Sequence, residues 1–228
     1  MPDRVKAITL DLDDTLWAVE PVIERAERLL HEWCAERAPK FALALPPAAF
    51  ALYRRGLAKE LPHLAHDFTA LRLESLRRAL SLHGEDHTLA EAAMEVFLEA
   101  RNRIDLFPEV QESLERLSRR YKLAVITNGN ADVHRIGIGT HFVAVVNARS
   151  AGCPKPDPRI FHAACDALGC SPHEVLHVGD DAELDVRGAV DAGSRAAWIN
   201  RHGRAWVGGP CERVEFADLR ALCEWLGA

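Results

Sequence analysis

The most informative stretch of the chain reads Ile8-Thr9-Leu10-Asp11-Leu12-Asp13-Asp14-Thr15-Leu16-Trp17. It begins as an apolar, strand-like run and then presents carboxylates, and alternation along a strand would turn Asp11 and Asp13 toward the same side. Like charges at the tip of an apolar strand are costly unless a cation compensates them. Oxygen ligands without His or Cys favour Mg²⁺. The alternative is a helix cap or an acidic turn, because Asp-Asp-Thr also suits the start of a helix.

Short apolar runs rich in β-forming residues indicate further strands. The predicted strands are Val5–Leu10, Leu123–Thr127, Phe142–Val146, Val175–Val178 and Ala196–Ile199. Continuous apolarity, rather than alternation, is typical of a parallel sheet covered on both faces. Helical patterns over Pro108–Arg120 and Pro158–Leu168 lie between the later strands. This alternation predicts an α/β, doubly wound and mostly parallel sheet, which binds ligands outside the carboxyl ends of its strands.

The segment from about Ala18 to Arg101 interrupts this alternation, because it contains helical patterns and no convincing strand. Amphipathic helices are predicted over Glu20–Arg37, Pro47–Glu60, His66–Leu82 and His87–Arg101. We therefore predict two domains. Residues 1–17 and 102–228 form the α/β core, and residues 18–101 form an inserted, all-α domain.

A second acidic cluster follows the predicted strand Val175–Val178 and reads Gly179-Asp180-Asp181-Ala182-Glu183-Leu184-Asp185. Its acids could instead satisfy a helix N-terminus and its dipole. Because both acidic clusters follow strands of one predicted sheet, we expect them to converge on one cation.

Complementary groups lie between the two acidic clusters. Thr127-Asn128-Gly129 ends a predicted strand with a hydroxyl, an amide and a glycine, which suits phosphate binding. The same residues also form an ordinary Asn-Gly turn. Lys155 lies between Pro154 and Pro156, whose rings stiffen the backbone and would aim the ammonium group. A surface lysine in a proline-rich loop is the alternative.

Charge and composition exclude some classes of partner. The net charge of −6 and the interleaving of acids with arginines argue against nucleic acid. No apolar run is long enough to span a membrane, and the first residues lack the succession typical of a signal peptide. The six cysteines are scattered without a C-x-x-C pair, as is typical of free thiols in a reducing cytoplasm. We therefore expect a cytoplasmic protein.

The candidate groups occur in the order of four motifs. They are Asp11-Leu12-Asp13-Asp14-Thr15, Thr127, Lys155, and Gly179-Asp180-Asp181 with Asp185. In this order the chain resembles the haloacid dehalogenase-like (HAD) hydrolase superfamily over nearly its whole length. The helical insert after the first motif resembles the family's cap domain. One departure is small: many members have Gly where this chain has Asp14.

The resemblance implies a Mg²⁺-dependent phosphatase in which Asp11 is the nucleophile and Asp13 the general acid/base. Mg²⁺ would be held by the Asp11 side chain, the Asp13 backbone carbonyl and Asp180. The chemistry agrees, because an anionic nucleophile approaches a phosphate monoester only if cations screen the repulsion. A covalent aspartyl-phosphate would replace one difficult step by two easier ones.

The resemblance also assigns the supporting groups. Thr127 and the Asn128 amide would bind phosphoryl oxygens, and Lys155 would neutralise charge on the nucleophile and on the phosphate. Asp185 would orient Lys155 or a metal-bound water, and Asp181 belongs to the same cluster.

Within the superfamily, the chain is similar to bacterial phosphatases of flavin metabolism, which act on FMN or on 5-amino-6-(5-phospho-D-ribitylamino)uracil, a precursor of riboflavin. The similarity lies in Leu10–Trp17, Ile126–Ala131 and Leu176–Asp181. Trp17 would either stack on a planar substrate or pack between core and cap. We expect a small phosphorylated metabolite as the partner, and a monomer or a homodimer.

Other functions remain open at this stage. The superfamily's dehalogenases lack a carboxylate at the position of Asp13, so its presence favours phosphoryl chemistry. A sugar phosphomutase would pass the phosphoryl group to another hydroxyl instead of to water. A non-catalytic HAD-like binding protein would be expected to have a broken motif, and none is broken here.

Overall fold

The computed structural model describes residues 4–207 and 209–228. The chain divides into two compact units. The first contains Met1–Ala18, Asp105–Gly129 and Val133–Ala228, and the second contains Val19–Ile104 and Asn130–Asp132. The predicted α/β fold with an inserted helical part is confirmed.

In the described residues, six parallel strands form one sheet at the centre of the first unit. The strands are β1 Ala7–Leu10, β2 Lys122–Thr127, β3 Ala144–Asn147, β4 Val175–Gly179, β5 Arg195–Ile199 and β6 Val214–Phe216. Their order is β3-β2-β1-β4-β5-β6, and every neighbouring pair is parallel. The chain places β2 and β3 on one side of β1 and then β4 on the other. The carboxyl ends of β1 and β4 therefore flank the switch point at which such sheets bind ligands.

Helices make up most of the remaining chain. They are α1 Val19–Arg37, α2 Pro39–Ala44, α3 Pro47–Glu60, α4 Phe68–Leu82, α5 Leu89–Arg101, α6 Val110–Ser118, α7 Val133–Ile136, α8 Ala148–Ala151, α9 Pro158–Leu168, α10 Gly188–Asp191 and α11 Leu219–Leu226. A π-helical turn, Ala182–Arg187, precedes α10. The apolar stripe of α9 is buried beside the sheet, as expected for a doubly wound fold.

The structure differs from the sequence prediction at the edges of the sheet. β6 is absent from the predicted strands, because its three residues are half-buried or exposed and carry no apolar run. β3 begins at Ala144 rather than Phe142, and Val143 is largely exposed. An edge strand buries less surface than a central one, so its hydrophobic signal is weaker.

The second unit has its own apolar core, formed mainly by α1, α4 and α5. A buried ion pair lies beside it: Glu27 Oε1 accepts from Arg72 at 2.8 Å and from Arg54 at 3.0 Å. The Arg72 guanidinium lies 3.5 Å from the centre of the Phe97 ring, so an aromatic face also stabilises this buried cation.

Two further observations bear on the expectations from composition. Among the described residues, no helix is both long enough and apolar enough to cross a membrane. All six cysteines are free thiols.

The core of the helical unit gives a test of packing. Leu80 on α4 is fully buried, whereas Leu82 on the same helix is 69% exposed. We expect Leu80→Ala to lower the free energy of unfolding by about 2–5 kcal/mol through lost burial and a residual cavity. Leu82→Ala should change it by less than about 0.5 kcal/mol. Urea denaturation of both variants checks this, and equal effects would contradict the assignment of the core.

Candidate active site

Asp11 is the residue immediately after β1, at the carboxyl edge of the sheet. Its N–H donates to the Val178 carbonyl at 2.9 Å, which extends the β1–β4 pairing by one residue. The residue is only 6% exposed. The fold therefore fixes this carboxylate at the switch point, in a largely water-free position.

The loop after Asp11 turns back on itself. Asp14 has φ +59°, in the left-handed region that favours glycine and that aspartate tolerates better than most residues. This explains how the chain accommodates the departure from Gly noted above. The Asp14 N–H donates to the Trp17 carbonyl at 2.8 Å and closes the turn.

Trp17 contributes to the same loop through its side chain. Its indole Nε1–H donates to Asp13 Oδ1 at 2.9 Å, and the side chain is fully buried. Of the two roles considered for Trp17, packing agrees with this burial, whereas stacking on a substrate would need an accessible ring face. The indole also orients the Asp13 carboxylate, since an N–H bond to a charged acceptor is among the stronger ones.

Lys155 lies between the helices α8 and α9 and is 4% exposed. Its Nζ donates to Asp11 Oδ1 at 2.5 Å, to Asp185 Oδ1 at 2.6 Å and to the Ile126 carbonyl at 3.2 Å. All three donors of the ammonium are thus used. The alternative of a surface lysine is excluded by this burial.

Asn128 holds the lysine loop in place. Its Oδ1 accepts from the Lys155 N–H at 2.7 Å, and its Nδ2 donates to the Lys155 carbonyl at 3.0 Å. These two bonds use one of the two amide hydrogens, so the predicted phosphate contact of Asn128 stays a prediction. Thr127 ends β2 with its side chain 2% exposed, and its Oγ1 accepts from the Gly129 N–H at 2.9 Å.

The Asp185 carboxylate is 1% exposed and fully hydrogen-bonded. Its Oδ1 accepts from Lys155 and, at 3.0 Å, from His177 Nε2, while its Oδ2 accepts from the Asp181 N–H at 3.0 Å. A Cβ atom at Gly179 would lie 2.3 Å from the Asp185 carboxyl carbon. Glycine is therefore required at the end of β4 for this close approach.

Asp180 and Asp181 have different contacts. The Asp181 side chain accepts from the N–H groups of Glu183 and Leu184, both at 2.8 Å, and so caps the π-helical turn. Asp180 instead lies near Asp11: the Thr15 hydroxyl is 3.4 Å from Asp180 Oδ1 and 3.5 Å from Asp11 Oδ2. Asp181 thus acts as a helix cap, which was the alternative role for this acidic cluster. Asp180 instead lies beside the first motif, as expected if both clusters meet at one cation.

The charges of the central groups are strongly coupled. Burial raises the pKa of Asp11 well above its usual range, against the Lys155 ammonium and with the help of the Asp185 charge. Burial alone would lower the pKa of Lys155 and raise that of Asp185. The charges of Asp11 and then Asp185 outweigh burial and raise the pKa of Lys155, while Lys155 and the hydrogen bond from His177 hold the pKa of Asp185 below its ordinary value. Lys155 and Asp185 therefore remain an ion pair. Asp11 has the same Lys155 ammonium as its cationic partner and shares it with Asp185.

Asp180 adds to this excess of negative charge. Burial, followed by the charges of Asp185 and Asp14, raises the pKa of Asp180 to about 7, although Arg204 opposes the shift. The Arg204 guanidinium is 3.3 Å from Asp180 Oδ2, but half of its side chain is exposed. Solvent therefore weakens the compensation that Arg204 provides.

The residues fit a divalent cation of the hard, oxygen-binding kind. Within the described part of the chain, carboxylate oxygens of Asp11, Asp180 and Asp185 lie within 4.8 Å of one another. When all three are ionised, the buried Lys155 ammonium and the half-exposed Arg204 guanidinium compensate their negative charge only in part. Because the Asp185 oxygens already accept three bonds, Asp11 and Asp180 are the side chains available to a metal. Ligation by the Asp13 backbone carbonyl remains a prediction.

Sequence reasoning missed several residues that organise the site. Arg201 follows β5, and its Nη2 donates to the Thr15 carbonyl at 2.8 Å and to Glu109 Oε1 at 2.6 Å, which ties the first-motif loop to the sheet. Trp198 in β5 donates from Nε1 to the Asp180 carbonyl at 2.8 Å. His177 lies in the core, as its place inside a strand predicts, but it also contacts Asp185. The one signal in the sequence that could have pointed to these residues is that they lie in or just after a predicted strand, near the edge of the sheet where ligands bind.

Comparison with known proteins shows to which protein family a chain with this fold and site belongs. Residues 5–193 match the family of haloacid dehalogenase-like hydrolases. The chain therefore belongs to the HAD-like hydrolase family, as its resemblance implied.

The relatives include phosphatases and a dehalogenase. The chain is 34% identical over 227 residues to 5-amino-6-(5-phospho-D-ribitylamino)uracil phosphatase YigB of Escherichia coli strain K12, covering 96% of this chain and 95% of YigB. It is 35% identical over 248 residues to a phosphoserine phosphatase of Thermus thermophilus, covering 96% of this chain and 98% of that phosphatase. Among solved structures, a 2-haloacid dehalogenase from Pseudomonas syringae pv. Tomato DC3000 matches with a TM-score of 0.92 and 40% identity over 98% of both chains.

The contact between Gly179 and Asp185 leads to a test of the site's packing. In Gly179→Ala, Asp185 must move, so we expect a loss of about 1–3 kcal/mol in the free energy of unfolding. Gly56 in α3 has no atom within 4 Å of a built Cβ. Gly56→Ala should therefore stabilise the protein by roughly 0.5–1 kcal/mol. Denaturant titration measures both, and a neutral Gly179→Ala would contradict the close approach.

The raised pKa of Asp180 predicts a pH dependence of stability without metal. Its folded-state pKa of about 7 lies above its unfolded value, so its contribution to stability is present at low pH and is lost as the pH rises to about 7. Asp180→Asn should remove this loss and stabilise the metal-free protein at pH 8 by about 2 kcal/mol, after allowance for solvent screening.

We expect Mg²⁺ to stabilise the unsubstituted protein, and Asp180→Asn should lose this stabilisation. Thermal unfolding at pH 5 and pH 8, each with EDTA and with Mg²⁺, provides the comparison. Unchanged Mg²⁺ stabilisation in Asp180→Asn would remove this residue from the metal site.

Proposed function

We propose that the chain is a Mg²⁺-dependent phosphatase that hydrolyses a small phosphate monoester through an aspartyl-phosphate on Asp11. The observation that carries this proposal is the pair of carboxylates on one loop. Asp11 is buried against Lys155, and Asp13 is held two residues later by the Trp17 indole. The pair supplies a nucleophile and, beside it, a group that can give and take a proton.

The charge of the site favours a phosphate ester over a haloacid. An alkoxide leaving group needs a proton, which Asp13 can supply, whereas a halide leaves as a stable anion and needs none. The excess of negative charge around Lys155 favours binding of a divalent cation, and that cation together with Lys155 would offset part of the charge that a phosphate monoester brings. Mg²⁺ bound by Asp11 and Asp180 would supply this charge compensation.

The proposed steps use this chain's own residues. An Asp11 oxygen attacks phosphorus, the bond from phosphorus to the ester oxygen breaks, and Asp13 gives its proton to the departing alcohol. Asp13, now ionised, takes a proton from water, which attacks the aspartyl-phosphate and releases inorganic phosphate. Throughout, Lys155 stabilises charge at Asp11, and Thr127 is the candidate donor to phosphoryl oxygens.

The relatives and the sequence both support a small phosphorylated metabolite as the substrate. YigB is named for 5-amino-6-(5-phospho-D-ribitylamino)uracil and the Thermus relative for phosphoserine, so both act on small phosphorylated metabolites. We propose this uracil derivative, with FMN as the related candidate in riboflavin metabolism. We also propose that the protein acts in the cytoplasm, because a reducing compartment keeps cysteines as free thiols.

A second candidate function is the displacement of halide from a 2-haloacid. It is favoured by the high similarity to a structure named as a 2-haloacid dehalogenase. The same Asp11 carboxylate would be the nucleophile, but this reaction would need neither Asp13 nor Mg²⁺.

Removal of the nucleophile tests the covalent route. We expect Asp11→Asn to lower Mg²⁺-dependent turnover of p-nitrophenyl phosphate by at least about 10³-fold, because the amide is a far weaker nucleophile than the carboxylate. Glu115→Gln, an exposed substitution on α6, serves as the control and should turn over normally. Near-normal turnover in Asp11→Asn would refute the covalent mechanism.

A substrate screen separates the candidate functions. The ribitylaminouracil phosphate, FMN, phosphoserine and glucose 6-phosphate are assayed for released phosphate, and 2-chloropropionate for released chloride. We expect phosphate release that needs Mg²⁺ and highest kcat/KM for the uracil derivative. Chloride release without Mg²⁺ would favour the dehalogenase, and hexose phosphate isomerisation without phosphate release would favour the phosphomutase.

A further inference from the structure

A chain of buried hydrogen bonds continues from the active site into the sheet. His177 Nε2 lies 3.0 Å from Asp185 Oδ1, and His177 Nδ1 lies 2.9 Å from the hydroxyl of Thr9. Both His177 and Thr9 are 1% exposed. They face each other in register across the β1–β4 pairing. Buried positions on adjacent central strands are usually apolar. Here two of them are occupied by the polar residues Thr9 and His177, close to Asp11.

The direction of these hydrogen bonds can be derived. Asp185 is ionised beside Lys155, so it accepts, and His177 Nε2 must carry the hydrogen. Burial lowers the pKa of His177, against the attraction of Asp185, which favours the neutral imidazole. In a neutral ring whose Nε2 is protonated, Nδ1 is an acceptor, and the Thr9 hydroxyl is its donor.

The position of the imidazole is fixed from other sides as well. Phe161 on α9 packs edge-on against the His177 ring, with ring centres 5.1 Å apart and planes at 88°. This contact restricts the ring but supplies no hydrogen bond. The Thr9 hydroxyl therefore holds the ring in the orientation that turns Nδ1 toward Thr9 and Nε2, rather than the Cε1 carbon, toward Asp185.

We propose that Thr9 and His177 are positioning residues, which orient the Asp185 carboxylate and, through it, the Lys155 ammonium that binds the nucleophile Asp11. The order of contacts is Thr9 hydroxyl, His177 imidazole, Asp185 carboxylate, Lys155 ammonium, Asp11 carboxylate. Neither Thr9 nor His177 touches the reacting atoms. The proposal rests on the phosphatase function only for its kinetic readout.

The role follows from the geometry of Asp185. Its Oδ1 accepts from both His177 and Lys155, so the imidazole fixes the direction from which the ammonium approaches. Without the imidazole donor, only the Asp181 N–H and Lys155 itself would hold the Asp185 carboxylate, so its Oδ1 could shift and Lys155 would move relative to Asp11. Partners that orient the groups around a reactive centre typically contribute about 10–100-fold to activity.

The test compares Thr9→Val, which has the same shape without the hydroxyl, with Thr9→Ser, which keeps it. Phosphate release from p-nitrophenyl phosphate is measured with saturating Mg²⁺. We expect kcat to fall about 10-fold in Thr9→Val, with KM within about 2-fold of the unsubstituted protein. Thr9→Ser should recover most of kcat, because the donor to Nδ1 is restored.

A matched control removes another buried hydroxyl. Ser194, in the same unit, is 8% exposed, and its hydroxyl lies 3.9 Å from the Cys165 sulfur, away from the hydrogen-bond chain. Ser194→Ala should leave kcat unchanged. An unchanged kcat in Thr9→Val would overturn the proposal, and so would an equal fall in Ser194→Ala, which would indicate general loosening of the core.

A second readout does not depend on activity, so it distinguishes failure of this proposal from failure of the proposed function. Imidazole ¹⁵N shifts of the metal-free protein are recorded, with the His177 signal assigned by its absence in His177→Gln. We expect a neutral ring with the hydrogen on Nε2, and a shift of the Nδ1 signal toward an unbonded acceptor in Thr9→Val but not in Thr9→Ser. A hydrogen on Nδ1, or an Nδ1 signal unaffected by Thr9→Val, would overturn the proposal.

Discussion

Asp11 is buried at the end of the central strand and shares its one ammonium partner with a second carboxylate. Lys155 lies 2.5 Å from Asp11 and 2.6 Å from Asp185, and Asp180 adds a further negative charge nearby. Buried charges of one sign are tolerated only when they are paired or when they bind a cation. The arrangement therefore suits a divalent cation, and it is the basis on which we propose Asp11 as the nucleophile.

Much of the surrounding structure serves to hold these charges together. The strand order places β1 beside β4, so Asp11 and Asp180 leave neighbouring strands at the switch point. Gly179 gives Asp185 room to approach, and the Asn128 side chain holds the backbone of Lys155 from both sides. Without these contacts, repulsion between the carboxylates of Asp11, Asp180 and Asp185 would drive them apart.

The sequence predicted the strands and the long helices well, because buried parallel strands carry continuous apolar runs and amphipathic helices carry a clear period. It was weakest for β6, whose residues are partly exposed. The charged residues of the four motifs were all identifiable, since carboxylates after apolar strands are unusual. The sequence left open whether Asp181 caps a helix or binds a ligand, because both uses have the same residue pattern.

The partners of these residues were harder to predict. Thr9 and His177 are compatible with any buried strand, and only the register of β1 with β4 brings them together. Arg201 contacts Thr15 across 186 positions of sequence, which no local pattern encodes. The choice between Trp17 as a stacking platform and as a packing residue likewise depended on burial, which is a property of the folded chain.

The central claim is that Asp11 carries the phosphoryl group during turnover. The most direct measurement is acid quenching of the Asp13→Asn variant during reaction with p-nitrophenyl phosphate and Mg²⁺, followed by mass mapping of its peptides. This variant should accumulate the intermediate, because the group that activates water is missing. The account predicts phosphate on the peptide that contains Asp11, and its loss on treatment with hydroxylamine. Release of p-nitrophenol without any phosphate on that peptide would contradict it.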